Sequence, residues 1–148
     1  MGREPVEKVW GDVKVIVEPL PFPQAQLYLP DVTEVIAIVF DNVGAAVTSG
    51  KVKLDMDVLD PATLMVLLPT LRVLAQHMGQ GRLDRLFPKI LATTTVMMKD
   101  IAGTVVKKSL GIEAERNEVF DEHPDLFIPV LIFAGNVTYK RFFPARAR

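Results

Sequence analysis

The chain has 148 residues, 17 basic and 18 acidic side chains and a formal net charge of −1, which excludes a bulk positive field that would draw it to nucleic acid or an anionic membrane. It has no cysteine, which excludes disulfides, thiolate catalysis and zinc–thiolate sites together. Hydrophobic residues make up 49% and mean hydropathy is +0.26, so part of the apolar surface is expected to meet another chain.

The start, MGREPVEKVW, carries charges where a secretory signal needs an apolar run, so export by that route is not expected. Residues 6–18 then alternate. Val6, Lys8 and Trp10 lead into Gly11-Asp12, and Val13, Val15 and Val17 follow. Two short β-rich runs around a Gly-Asp pair predict a hairpin with a type II′ turn, lying on something apolar because a lone hairpin is marginal. Pro19, Pro21 and Pro23 end it and delay any helix to Pro23 or beyond. Gln24 to Leu29 suits a short helix that Pro30 interrupts, with Asp31 near the start of the next. Val32, Val35, Ile36, Val39, Phe40 and Val43 share one helical face, and Gly44 to Gly50 is its fraying end. Lys51 to Asp57 alternates, as either an extended linker or a third strand beside the hairpin.

The centre of the chain is Asp60 to Gly111. Asp60 suits an N-cap and Pro61 the first helical position. Leu64, Leu67, Leu68, Leu71, Leu74, Ala75 and Met78 make a wide apolar face, which Pro69 is expected to kink. Gly79-Gln80-Gly81 reads as the turn, and Leu83, Leu86, Phe87, Ile90 and Leu91 as a returning helix. Thr93-Thr94-Thr95 weakens that helix. The helical spacing resumes at Met97, Met98, Ile101, Val105, Val106 and Leu110 and stops at Gly111. Residues 112–122 are polar and acidic, as a surface helix or ordered loop. His123-Pro124-Asp125 opens the last element, apolar nearly all round. Its longest apolar run, Leu126–Ala134, is far short of the roughly 18 residues that cross a membrane. The fold class expected is therefore mainly α within α+β, over one domain of residues 1–148. An N-terminal hairpin or small sheet (1–18) would pack on a bundle of about four to five helices (23–148).

Candidate chemistry is sparse. Asp55, Asp57 and Asp60 alternate as calcium ligands do, but counting from Asp55 puts Asp60 and Val66 where an EF-hand needs Gly and Glu. His77 and His123 are the only histidines, and neither has a nucleophile and orienting partner in a recognisable spacing. Structural roles are expected for both, with no metal and no cofactor. Glu113, Glu115, Glu118, Asp121 and Glu122 read as a solvated face. Gly79-Gln80-Gly81-Arg82 lacks the spacing and the Lys-Ser/Thr of a phosphate loop. Asn136-Val137-Thr138 is a formal glycosylation acceptor without a role here. Lys140, Arg141, Arg146 and Arg148, interleaved with Tyr139, Phe142 and Phe143, suit either nucleic acid or a helix end docked on the core. The neutral chain favours the second, so no nucleic acid and no membrane partner is expected.

One pattern of order and composition runs through most of the chain. The alternating start leads to Val17-Glu18-Pro19-Leu20-Pro21-Phe22-Pro23-Gln24-Ala25, then to apolar helices broken at Leu67-Leu68-Pro69, then to a last helix ending near Asn136-Val137 with aromatics after it. This resembles the tail assembly chaperones of long-tailed bacteriophages. The resemblance implies a binding protein, not an enzyme, working in the host cytoplasm. Its partners would be the tape measure protein, whose apolar helices it keeps soluble, and the tail tube protein. Many such chaperones also exist in a longer, frameshifted form, and Phe142-Phe143 suits a slippery uridine run. The composition agrees in kind, and Met65, Met78, Met97 and Met98 would help an apolar surface adapt. The partner-binding residues expected are Leu126, Phe127, Val130, Leu131, Phe133, Val137, Phe142 and Phe143, forming with the 62–78 helix a groove for the client or for another copy in a homo-oligomer. The alternative is a structural virion protein, a ring-forming subunit of the phage neck or tail.

Overall fold

A computed structural model describes residues 4–48 and 61–142. The fold is α+β. Among the described residues there is one four-stranded antiparallel sheet, in the order β1-β2-β3-β4, and there are five α-helices. The chain divides into two compact units, one of Met1–Ala25 with Phe87–Arg148 and the other of Gln26–Leu86.

The first unit is built on the sheet. Strands β1 (Val6–Trp10) and β2 (Val13–Val17) form the expected hairpin, with Trp10 opposite Val13. Gly11 has φ +58 and Asp12 a negative φ, the pattern of a type II′ turn. The third strand is β3 (Thr94–Lys99), which pairs with β2 so that Val15 faces Val96 and Val17 faces Thr94. The stretch 51–57, read as a possible third strand, lies outside the described residues.

Residues 94–109, expected to be helical, form a hairpin instead. Strand β4 (Val105–Ser109) returns along β3 through a tight turn. In that turn the Gly103 N–H donates to the Asp100 carbonyl at 3.0 Å, the Thr104 N–H to Asp100 Oδ1 at 2.9 Å, and Gly103 has φ +82. The apolar residues at 97, 101 and 105 fit one helical face equally well as they fit strand, turn and strand. Three threonines (Thr94, Thr95, Thr104) and three valines (Val96, Val105, Val106), stiff at χ1, tip that balance to the sheet.

Period-two burial follows. Val13, Val15, Val17, Thr94, Val96 and Met98 are buried on the inner face. Helix α5 (Phe127–Tyr139) packs on that face at β2, with Phe133 meeting Trp10 edge-on at 5.8 Å. Helix α4 (Glu113–Glu122) packs on β4 through the buried Val119, and Lys108 pairs with Glu118 at 2.6 Å. Gly111, a helix stop by its place in the sequence, follows a strand instead. It is needed for space, because a Cβ there would lie 2.6 Å from the Ala92 carbonyl oxygen.

Helix α1 (Phe22–Thr48) starts in the first unit and continues in the second. It runs unbroken through Pro30, against expectation. Proline removes one helical N–H, and the Thr33 hydroxyl adds a bond to the Leu29 carbonyl at 2.8 Å. Helix α2 (Pro61–Met78) keeps its expected bounds and also continues past Pro69. Gly79, at φ +86, ends it with an N–H to the Ala75 carbonyl at 2.9 Å. Helix α3 (Gln80–Ile90) follows at once. Val32, Leu74, Met78, Leu83 and Leu86 are buried. Arg82 of α3 holds Asp31 and Glu34, one turn apart on α1, and those hydrogen bonds raise its pKa further above the usual arginine value. No described helix is long and apolar enough to cross a membrane.

Thr94 is 1% exposed and its hydroxyl has no partner. Replacing it with valine of nearly the same shape should raise stability by about 1 kcal/mol, seen as a thermal midpoint about 2–4 °C higher. Gly111→Ala should instead destabilise the protein by about 1–3 kcal/mol, because the contact is with backbone that cannot step aside. Thermal melts followed by circular dichroism check both.

Candidate partner-binding surface

The last helix is held in place by the proline break near the start of the chain. Pro19 and Pro21 leave the Leu20 N–H outside any ladder, and Thr138 Oγ1 accepts it at 3.1 Å in the buried interior. Arg141 donates to the Leu20 carbonyl at 2.7 Å, and the Tyr139 hydroxyl to the Ala25 carbonyl at 3.0 Å. Phe142 stacks on Phe22, with ring centroids 5.8 Å apart, and its ring also lies 5.5 Å from the Arg141 guanidinium. Tyr139, Arg141 and Phe142 thus dock on the chain's own core, while Lys140 is exposed. Phe143, Arg146 and Arg148 lie outside the described residues.

This anchoring fixes which way α5 faces. Leu126, Val130 and Phe133 are buried at 8%, 1% and 4% exposure, so these three expected binding residues serve the core. Val137 is half-buried on that same side of the helix, and Phe127 is half-buried where it meets the rings of Phe87 and Phe120. Leu131 is half-buried on the other side. It shares that side with Ile128, Ile132 and Gly135, at the spacing i, i+3, i+4, i+7 of one helical stripe. A Cβ placed on Gly135 would meet nothing within 4 Å, so there is room beside the stripe. The sequence reading missed Ile128 and Ile132. Once Leu126, Val130 and Phe133 are seen to be buried, a helical wheel puts Val137 on their side and leaves Ile128, Leu131 and Ile132 on the opposite stripe.

The remaining candidates resolve into local roles. The His123 N–H donates to the Val119 carbonyl at 2.8 Å and its carbonyl accepts from Leu126 at 3.0 Å, so it bridges α4 to the 3₁₀ turn at Pro124–Leu126. His77 is exposed in the last turn of α2. The two histidines belong to different units. Glu113, Glu118, Asp121 and Glu122 are exposed on α4, while Glu115 accepts the Ser109 N–H at 3.2 Å. Lys108, beside Glu118, has its pKa raised by that hydrogen bond. Asp55, Asp57 and Asp60 lie outside the described residues. Among the described residues no group of three or more histidine and acidic side chains is placed to hold a metal ion. Met78 and Met98 are buried at 4% each, whereas Met97 is half-buried on the outer face of the sheet.

Comparison of the chain with protein families, curated proteins and solved structures gives no match.

The two sides of α5 should separate in mutagenesis. Val130→Asp places an unpaired charge in the core and should prevent folding. Leu131→Asp should keep the circular dichroism spectrum and a cooperative melt, because its carboxylate can reach water.

Proposed function

We propose that this chain is a non-enzymatic tail assembly chaperone of a long-tailed bacteriophage. It would bind apolar helical segments of the tape measure protein in the host cytoplasm and so promote assembly of the tail tube around them. The observation that carries the reading is the apolar stripe Ile128, Leu131 and Ile132, only half-buried beside the open space at Gly135. Such a stripe suits the face of an amphipathic client helix, which docks through residues at the same spacing. Leu27 of α1, 70% exposed within the helical unit, adds apolar surface of the same kind. The sequence resemblance at Pro19–Pro23 and in the last helix also supports the reading, while α2 runs unbroken through the third resembling segment, Leu67-Leu68-Pro69.

The test is co-expression with a candidate tape measure protein, found as a long helical reading frame beside this gene. Light scattering should show a soluble complex with many copies of this chain per client, and Leu131→Asp should lose the client while staying folded. A closed ring whose mass ignores the client, and which is found in purified virions, would instead identify a structural subunit of the neck or tail.

A further inference from the structure

The chain passes between its two units twice, from Ala25 to Gln26 inside α1 and from Leu86 to Phe87 inside α3. Each crossing coincides with a proline beyond the first turn of its helix. Pro30 has no N–H to give the carbonyl of Gln26, the first residue of the helical unit. Pro88 has none for the carbonyl of Asp84, so the lost bond spans the second crossing. At the first crossing the Thr33 hydroxyl also bonds the Leu29 carbonyl at 2.8 Å, a contact that tends to bend helices. Among the described residues three prolines lie beyond the first turn of a helix, and two of them fall at the two crossings. The third, Pro69, lies within the helical unit.

On either side of these weak points the helices are held. Within the first unit the Ala25 carbonyl accepts the Tyr139 hydroxyl at 3.0 Å, and Phe87 meets Phe127 with ring centroids 6.1 Å apart. Within the helical unit Arg82 of α3 straps Asp31 and Glu34 of α1, the latter at 2.9 Å, and Leu83 and Leu86 are buried. Asp31 is next to Pro30 in the sequence, and Arg82 lies two positions before Asp84. Both missing bonds therefore start within about one helical turn of the same strap.

We infer that the two crossings form a hinge, at which α1 bends over residues 26–30, α3 bends over residues 84–88, and the two units change their mutual orientation as bodies. A helix resists bending through its ladder of hydrogen bonds. Proline removes one rung and crowds the carbonyl one turn earlier, so the helix yields there first. One weakened crossing beside an intact one would stay stiff, because the intact helix would hold both. Here both are weakened, at the same distance from the strap. Arg82 makes α1 and α3 turn together on the helical side. The contacts of Ala25 and Phe87 stop the bend from spreading into the first unit. A hinge of this kind concentrates the motion in a few residues and leaves the packing on either side intact. The inference stands whether or not the client is a tape measure protein.

The chain has no cysteine, so spin labels can be placed in chosen pairs on the full chain. Gln76→Cys with Asp121→Cys puts one label on an exposed position of each unit. Asp12→Cys with Asp121→Cys keeps both within the first unit and serves as the control. Pulsed electron paramagnetic resonance should give a wider distance distribution for the first pair than for the control. Pro30→Ala with Pro88→Ala restores both N–H groups. It should keep the circular dichroism spectrum and narrow the first distribution to the width of the control. Pro30→Ala alone, at an exposed position, should narrow it in part, and it decides the matter should the double variant fail to fold. Pro69→Ala, which restores a bond inside the helical unit, should leave the distribution unchanged. A wild-type distribution as narrow as the control would overturn the inference. So would a distribution that the proline replacements at 30 and 88 leave wide, or one that Pro69→Ala narrows equally.

Discussion

The pairing of β2 with β3 is the constraint on which the first unit rests. Glu18 and Thr93 exchange two hydrogen bonds, one from the Glu18 N–H and one from the Thr93 hydroxyl, across a separation of 75 residues. Closing so long a loop carries an entropic penalty, although one that grows only slowly with length. The contacts that offset it are concentrated at the same place. Val15, Val17, Leu91 and Val96 are 0% exposed, and they sit on or beside the paired strands. Two local hairpins thereby become one sheet, and only a sheet of that width offers α5 a continuous apolar face.

The sequence was most legible where a backbone requirement and a hydrophobic pattern agreed. Gly11-Asp12 between alternating valines could hardly be anything but a hairpin. Pro61 and Gly79 bracket α2 because one suits a first helical position and the other a left-handed stop. Legibility failed where two periods coincided. Around Met97, Ile101 and Val105 a helical stripe and a strand–turn–strand pattern share the same apolar residues, and the deciding signal was the Asp100 to Gly103 turn. Pro30 misled in the opposite sense, since losing one N–H does not end a helix whose other bonds persist.

For the candidate surface, the right helix was visible but its orientation was not. A segment as apolar as α5 has no polar side to reveal which way it faces, so only the anchors settle it. Those anchors are Thr138 and Tyr139, polar groups whose partners, Leu20 and Ala25, lie more than a hundred residues earlier. No local spacing rule reaches across that distance. The core thus claims Val130 and Phe133, and the stripe through Leu131 is left half-buried.

The separation between the two hairpins also orders events during synthesis. The β1–β2 hairpin leaves the ribosome with β2, the future centre of the sheet, unpaired along one side. Its partner strand is roughly 75 residues behind, about 4–15 s at ordinary translation rates. Throughout that interval a strand containing four valines and isoleucines within five residues presents an open, strongly β-forming edge. Nascent chains on neighbouring ribosomes are therefore at their most aggregation-prone before the helical segment has been completed. The lysines at 8 and 14, interrupting the valine runs of this hairpin, are placed where charge would discourage such premature pairing.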